Sequence, residues 1–509
     1  MNTVEIESYL QDERLKFERR NSITSVSADR HIQRSKENVM KELTVFNHAS
    51  IIVMRIRRQM RKAKMGTFAW GALLAGAVLI ISSSPAMAQA GKLDPTFDIQ
   101  GVFTDSAGEF NNGGTFGTVV AIQNNGKILA GGQIGFVTGV VRLNANGTLD
   151  STFGVGGTVT SILGGNDGLC QVMGLAIQSD GRIVVGISNV EQGSGNLFIL
   201  ARLNANGSLD TTFGSAGIVE TQIGSFGAAA GVLTLQPDGK ILLAGEGAMG
   251  RYNADGQLDS SFGSGGVAPI LFTSPTAIAL QPDSKILLAA GGSVVGFSAP
   301  PPGVSFAQAA GIISRYKPNG SLDTSFGISG EAASVVVAGA IAVQTEGGCF
   351  GDCQILVGGT ADSLNNNGNS IGFGVVRYNG NGSVDTTFGQ GGAVTTAFAP
   401  TEPAATLFAM AVQANGNIVA AGSAGRFAAA NFVTQADFAL ARYSSTGARD
   451  TTFGLGGQVT TAFGANQAGI YGLALQSDGK IVAVGTSAKN AQTGGGQTGG
   501  LVVARYLAQ

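Results

Sequence analysis

Short apolar runs alternate along most of the chain with turns rich in Gly, Asn and Asp. Residues 235–245 read LQPDGKILLAG, in which Pro237 presets the first corner of a turn and Gly239 suits the position of positive φ. The flanking runs are too short for helices, so the segment predicts a β-hairpin. The same pattern recurs at 122–132, 177–187, 280–290, 412–422 and 475–485, and a copy that begins at Val343 is interrupted by a small insertion.

Two further marks accompany each hairpin: Leu-Asp-x-(Thr/Ser)-Phe-Gly, and an apolar strand that ends in Arg-Tyr or Arg-Leu. Successive aspartates of the first mark are 49 to 65 residues apart, room for about four strands per repeat. Such repeats are typical of β-propeller blades or β-solenoid coils. A closed ring leaves no long exposed sheet edge, and this favours the propeller. The sequence therefore predicts an all-β fold over residues 91–509, a seven-bladed β-propeller of four-stranded antiparallel blades.

The phase of the repeats predicts how the ring closes. The chain ends shortly after Arg505-Tyr506, so the last blade lacks an outer strand, while residues 101–104 are left over at the start. We expect this N-terminal strand to complete the last blade. An open spiral is the alternative.

A constant spacing links the arginine of one mark to the aspartate of the next, eight residues later. We expect each pair to form a partly buried ion pair that fixes the register between blades. Arg505 has no downstream aspartate, and ring closure would bring it to the unpaired Asp94. The alternative is independent exposure of both charges at turns. The predicted pairs are Arg142–Asp150, Arg202–Asp210, Arg251–Asp259, Arg315–Asp323, Arg377–Asp385, Arg442–Asp450 and Arg505–Asp94.

These marks resemble the bacterial delta-60 repeat, a β-propeller family whose molecular role is largely undefined. The resemblance covers residues 93–506, where Leu-Asp-x-Thr-Phe-Gly, Gln-Pro-Asp-Gly-Lys-Ile and Arg-Tyr-Asn recur in order. The first copy departs at Asp98, where the mark has Gly elsewhere. The resemblance implies no catalytic residues.

The first ninety residues differ in character. Basic residues from Arg55 to Lys64 precede an apolar run at 66–81 and the small residues Ala86-Met87-Ala88, the pattern of a secretory signal peptide at 54–88. We expect cleavage after Ala88, with Ala90 as the second choice. The apolar run is short for a bilayer span, although a signal anchor is the alternative. Residues 1–53 are a polar leader, interpreted as an upstream extension before the true start or as a disordered cytoplasmic segment.

Composition narrows the functional classes. Residues 91–509 carry 17 Lys+Arg and 25 Asp+Glu, without a basic stretch, so nucleic-acid binding is not expected. Both histidines, His31 and His48, lie before residue 91, and serine or cysteine catalysis with an imidazole base is therefore excluded for the repeats. No enzyme and no cofactor are expected. The surviving enzyme alternative is a calcium-dependent hydrolase of the lactonase or esterase kind, with Asp, Asn and Glu ligands in the central channel.

The remaining features point to binding. Most extra length falls after the second strand of each hairpin, so long loops are expected on one face, where an unknown protein or glycan would bind. The alternatives are neutral length drift and a carbohydrate-binding lectin that stacks sugars on Phe or Tyr. Cys349 and Cys353 flank the inserted turn and predict a disulfide, since an exported chain meets an oxidising compartment. We expect an exported monomeric scaffold, periplasmic, cell-surface or secreted, with no membrane span in the mature chain.

Overall fold

A computed structural model describes most of the repeat region and none of the first 89 residues. The described residues are 90–104, 116–134, 137–163, 170–188, 197–223, 230–245, 247–271, 274–291, 310–345, 348–350, 353–361, 372–398, 404–427, 433–463, 466–489 and 499–508. The predicted leader, signal peptide and cleavage at Ala88 lie outside this set. So do large parts of the long loops.

The described residues form strands and turns, without a helix, and this confirms the all-β prediction. None of them forms a helix that is long and apolar enough to cross a membrane. The strands are β1 (Val102–Thr104), β2 (Phe116–Ile122), β3 (Ile128–Ile134), β4 (Val137–Leu143), β5 (Thr158–Thr160), β6 (Gln171–Ile177), β7 (Ile183–Ser188), β8 (Leu197–Leu203), β9 (Ile218–Gln222), β10 (Ala230–Leu235), β11 (Ile241–Gly245), β12 (Ala248–Tyr252), β13 (Val267–Pro269), β14 (Pro275–Leu280), β15 (Ile286–Gly291), β16 (Gly311–Tyr316), β17 (Glu331–Ser334), β18 (Val337–Gln344), β19 (Gln354–Ala361), β20 (Gly372–Tyr378), β21 (Ala393–Thr396), β22 (Ala404–Val412), β23 (Ile418–Phe427), β24 (Val433–Tyr443), β25 (Gln458–Thr461), β26 (Asn466–Leu475), β27 (Ile481–Lys489) and β28 (Gly499–Tyr506).

These strands pair in antiparallel groups of four, as the sequence predicts. Five separate sheets contain β2–β5, β6–β9, β10–β13, β14–β17 and β18–β21 in chain order. A sixth sheet of eight strands joins β22–β25 to β26, β27, β28 and β1 through one parallel contact, Ala436 with Gln467. We number the groups units 1 to 7 in the order of their first strands, so that unit 7 consists of β26, β27, β28 and β1.

Unit 7 takes its fourth strand from the start of the described chain. Strand β1 pairs with β28 through Val102–Ala504, Phe103–Val503 and Thr104–Val502. Nearby, the amide of Asp94 donates to the carbonyl of Arg505 at 2.8 Å. The leftover segment of the sequence is therefore the outer strand of the last unit.

A local reason for each hairpin is visible at its turn. In unit 3 the Gly239 amide donates to the Gln236 carbonyl at 2.9 Å, and the Gln236 amide donates to the Lys240 carbonyl at 2.8 Å. Gly239 has φ of 85°, which a side chain would oppose. In the first Leu-Asp-x-Thr-Phe mark, Asp98 occupies the position where the other copies have Gly, with φ of 38°. Aspartate tolerates positive φ better than most residues.

The hydrophobic core lies between units. One buried cluster, for example, combines Ile128 and Val141 of unit 1 with Val482 and Val503 of unit 7. The first strands of the units contact one another in succession, and β26 of unit 7 contacts β2 of unit 1. Each unit therefore buries an apolar face against its neighbours, including the pair formed by the first and last units.

Five units end their third strand in a buried tyrosine whose hydroxyl reaches the outer strand region of the preceding unit. The Tyr252 hydroxyl donates to Thr221 Oγ1 at 3.0 Å, and the Tyr378 hydroxyl donates to the Ala333 carbonyl at 2.8 Å. Units 1 and 2 have Leu143 and Leu203 at this position. The tyrosine thus adds a polar contact between units where it is present.

The buried tyrosine hydroxyls should make the stability of the fold sensitive to high pH. Burial raises the pKa of Tyr252, Tyr316 and Tyr443 to about 12, whereas an unfolded tyrosine titrates near 10. As the pH rises, the tyrosines of the unfolded state lose their protons before those of the folded state. The free energy of unfolding is therefore unaffected by these phenols below pH 10 and falls as the pH rises through 12. Urea titrations followed by circular dichroism between pH 8 and 12 measure this. Tyr443→Phe should lose less stability over that range than the wild type, and an equal loss would contradict the assignment.

Candidate functional site

Each unit contains one buried arginine with the same set of partners, which we call the arginine box. In unit 4, Arg315 Nε donates to Asp323 Oδ2 at 2.8 Å, and Nη2 donates to Ser325 Oγ at 3.3 Å. The guanidinium carbon lies 4.7 Å above the ring centroid of Phe326. The aspartate, hydroxyl and phenylalanine all come from the Leu-Asp-x-(Thr/Ser)-Phe-Gly mark, which explains why these residue types recur together.

The structure brings all seven predicted pairs together. The shortest nitrogen–oxygen distances are 2.6 Å for Arg142–Asp150, 2.8 Å for Arg202–Asp210, Arg251–Asp259, Arg315–Asp323, Arg377–Asp385 and Arg442–Asp450, and 2.9 Å for Arg505–Asp94. The seventh pair uses Arg505 Nη2 where the others use Nε. All seven arginines are buried, so these are not independent surface charges.

The third nitrogen of each arginine leaves its own unit. Arg142 Nη1 donates to the Ala205 carbonyl in the turn that follows β8 of unit 2, and Arg202 Nη1 donates to the Ala254 carbonyl of unit 3. The succession continues in the same sense, and Arg505 Nη1 of unit 7 donates to the Ala145 carbonyl of unit 1. The remaining acceptors are the carbonyls of Pro318, Gly380, Ser445 and Ala508. The box therefore ties each unit to the next.

The carboxylates of the boxes are held in the charged form. Burial alone would raise the pKa of Asp210, but hydrogen bonds from Thr212 and the charge of Arg202 outweigh it and lower the pKa. The pKa of Asp323 is lowered in the same way, because hydrogen bonds from Ser325 and the charge of Arg315 outweigh the effect of burial. An ionised, fully bonded aspartate beside a guanidinium stabilises structure and offers no proton for catalysis at neutral pH.

A second constellation lies where the first strands of the seven units meet. Each of these strands contains a β-bulge at the same place, and the bulged residue is the one skipped in the pairing with the second strand. The seven bulged residues are Thr118, Met173, Gly231, Thr276, Gly339, Phe408 and Tyr471. All seven line one cavity of about 530 Å³, which we call the central channel.

The wall of the central channel is apolar and carries no charged residue among the described lining residues. Its aromatic pair is Phe408 of unit 6 and Tyr471 of unit 7, with ring centroids 5.0 Å apart and planes tilted by 39°. The hydroxyl of Thr276 donates to the Ala338 carbonyl of the next unit at 2.8 Å, so it supports the wall. The channel can enclose an uncharged ligand, and the lining residues that the structure describes include no pair of carboxylates.

Sequence reasoning missed these bulged residues because they share no residue type. The signal that existed was their constant position within the first strand of each repeat, but a bulge is a property of strand pairing. Among the described residues no group of three or more His, Cys, Asp or Glu is arranged to hold a metal ion. The long-loop segments predicted to bind a partner lie mostly outside the described residues.

The predicted cysteine pair lies at the inserted turn of unit 5. Cys349 and Cys353 are joined by a disulfide, with their Cα atoms 5.2 Å apart. Phe350 lies between them and is 91% exposed. Cys170 is buried within a core cluster that units 1 and 2 share.

Comparison with known proteins bears on the repeats. Six segments, residues 123–153, 178–213, 236–262, 304–326, 354–388 and 413–453, match a family model described as "Domain of unknown function (DUF5122) beta-propeller". Together with the four-stranded units, these matches identify the fold of the repeats. The region 123–453 contains β-propeller repeats. All six matched segments end at the phenylalanine of the Leu-Asp-x-(Thr/Ser)-Phe-Gly mark. The matched repeats therefore include the arginine boxes of units 1 to 6.

No curated protein matches the chain. Among solved structures, virginiamycin B lyase from Staphylococcus aureus is 13% identical, with 80% of this chain and 99% of that chain covered and a TM-score of 0.41. A calcium-binding protein, regucalcin, from Agrobacterium tumefaciens is 11% identical, with 66% and 91% covered and a TM-score of 0.32. Similarity at this level does not transfer a function to the propeller repeats.

Proposed function

We propose that the seven units are the blades of one closed propeller of the delta-60 kind. Three observations support closure: Arg505 donates to the Ala145 carbonyl, β26 contacts β2, and one apolar cluster combines units 1 and 7. Each repeats between the last and first units a contact that neighbouring units make elsewhere. A rigid ring of this kind is a frame for a binding surface.

We infer further that the protein is a non-catalytic binding scaffold and that the central channel holds its ligand. The observation that carries this function is the ring of seven bulges, which aims one residue of every blade at the same cavity. Bulges recur next to binding sites because they redirect a side chain that regular pairing would place elsewhere. The uncharged wall favours a neutral ligand with an apolar surface, since a buried unpaired charge would be costly.

The asymmetry of the ring indicates how such a ligand would lie. In a ring of seven blades, unit 3 faces the border between units 6 and 7. Gly231, the bulged residue of unit 3, therefore lies across the channel from Phe408 and Tyr471. A flat ring stacked on the aromatic pair would have its free side toward the glycine.

A neutral fluorescent probe tests the channel. N-phenyl-1-naphthylamine should bind the wild-type protein with increased fluorescence, and Phe408→Ala should weaken binding about tenfold, because stacking and apolar burial together contribute more than 1 kcal/mol. Tyr471→Ala should act in the same direction. Phe350→Ala removes an exposed phenylalanine outside the channel and is the matched control. Equal affinity of Phe408→Ala and wild type would contradict the proposal.

The alternatives predict other outcomes in the same preparation. A calcium-dependent hydrolase would show turnover of a lactone or ester and a rise in melting temperature with Ca²⁺. A lectin would bind a glycan array through stacking on Phe or Tyr. Export of the protein, as a periplasmic, surface-held or released monomer, belongs to the same proposal and is tested by locating it in cell fractions.

A further inference from the structure

The seven arginine boxes also differ in whether a second cation, from the residue before the second strand, approaches the carboxylate. In units 1, 3 and 7 this residue is a lysine, with Nζ–Oδ2 distances of 2.7 Å for Lys127–Asp150, 3.2 Å for Lys240–Asp259 and 3.4 Å for Lys480–Asp94. In unit 2 it is Arg182, whose Nε lies 3.0 Å from Asp210 Oδ2. Four carboxylates thus have two cationic partners.

Unit 6 departs from this pattern. In units 4, 5 and 6 no described lysine or arginine takes this place: Lys285 of unit 4 contacts Asp283 instead, and unit 5 has Gln354 before Ile355. Unit 6 has Asn417, whose Nδ2 donates to Asp450 Oδ2 at 3.4 Å. The side chain of Asp450 is 16% exposed, whereas the side chains of Asp94, Asp150, Asp210, Asp259, Asp323 and Asp385 are at most 10% exposed. The shorter asparagine therefore uncovers the carboxylate from the side that a lysine covers in unit 1.

A hollow of about 570 Å³ lies in front of this carboxylate, between units 6 and 7. Asn415 and Asp478 add oxygen atoms to its lining. Gln413 also lines it, and Gln413 Oε1 is a buried acceptor without a hydrogen-bond partner, on a residue that is 8% exposed. Gln123 and Gln236 have the same unpartnered oxygen, but in their units Lys127 and Lys240 approach the carboxylate.

We propose that this hollow binds a primary alkylammonium group, which takes the place that a lysine ammonium occupies in units 1, 3 and 7. The ammonium would contact Asp450 Oδ2, which already accepts from Arg442 Nε at 2.8 Å, and Gln413 Oε1 would be a second acceptor. The arrangement suits an ammonium because it offers acceptors converging on one compact donor of three N–H groups. The site is separate from the central channel and does not depend on the channel's role.

The test compares two ligands of the same shape. Nα-acetyl-lysine-N-methylamide should bind the full-length protein at least tenfold more tightly than the neutral Nα-acetyl-norleucine-N-methylamide, measured by saturation-transfer NMR, since a charge-assisted hydrogen bond is worth more than a factor of ten. Cadaverine in a parallel titration distinguishes a free diamine from a peptide-borne lysine: the tighter of the two identifies the natural source.

Two substitutions exchange the residues that units 1 and 6 have before the second strand. Asn417→Lys restores the residue of units 1, 3 and 7, so it should fold, and its own ammonium should reduce ligand binding at least tenfold. Lys127→Asn copies the unit 6 arrangement into unit 1 and should add a second binding event. Binding that is equal for the lysine and norleucine derivatives, or unchanged in a folded Asn417→Lys variant, would overturn the proposal.

Discussion

Replacement of Arg505 by alanine is expected to lower the free energy of unfolding by about 3–5 kcal/mol, the range observed when one partner of a buried ion pair is removed. The substitution would leave Asp94 without its guanidinium partner while the aspartate stays 2% exposed. It would also remove the contacts of Arg505 with the Ala145 carbonyl of unit 1 and with the ring of Phe97. Urea unfolding followed by far-UV circular dichroism measures the change.

The matched control is Arg315→Ala in unit 4, where the same contacts join two units in the middle of the chain. In a closed ring the two substitutions should cost similar amounts, because every unit has two neighbours. In an open spiral the contact between unit 7 and unit 1 would not form, and Arg505→Ala would cost much less than Arg315→Ala. A small effect of Arg505→Ala alone would therefore contradict closure.

Phe326→Ala should destabilise the protein by about 3–5 kcal/mol, as expected for a fully buried phenylalanine. Phe326 has no exposed surface, and its ring lies beneath Arg315 and against Gly382 of the following unit. Truncation would open a cavity between units 4 and 5 and remove the ring under the guanidinium. The same urea titrations measure the loss of stability.

A double-mutant cycle separates the two contributions. If the ring and the guanidinium interact, Arg315→Ala combined with Phe326→Ala should cost about 0.5–2 kcal/mol less than the sum of the single substitutions. Phe350→Ala, at a 91% exposed position, should change stability by less than about 0.5 kcal/mol and controls for the loss of an aromatic ring as such. Strict additivity would show that the ring fills space without stabilising the charge.

Much of the fold could be predicted from local pattern. The hairpin turn at Gly239 and the strand that ends at Arg251-Tyr252 depend on neighbouring residues only, so each repeat reveals its strands. The eight-residue spacing placed Arg251 and Asp259 across a short turn for the same reason, and they lie 2.8 Å apart. Cys349 and Cys353 were close in sequence on two ends of one hairpin, so their pairing required no knowledge of distant parts.

The candidate sites were less accessible to such reasoning. Phe408 and Tyr471 are 63 residues apart in the sequence, and nothing near either residue indicates that their rings approach within 5.0 Å. The hollow at Asp450 was equally hidden, although Asn417 is visible as a departure from Lys at that position of the repeat. Without the structure, that departure had no partner to which it could be assigned.

The sequence by itself determined the strands, the turns, the number of repeats and, for six of the seven arginines, the aspartate partner eight residues downstream. Those features depend on residues separated by one turn, where backbone geometry leaves few arrangements. The tertiary structure decided which unit each arginine Nη1 reaches, where the seven bulges converge, and that Asp450 is left with a single cation. These depend on contacts between strands of different repeats, which pack through shape and burial rather than through any local rule.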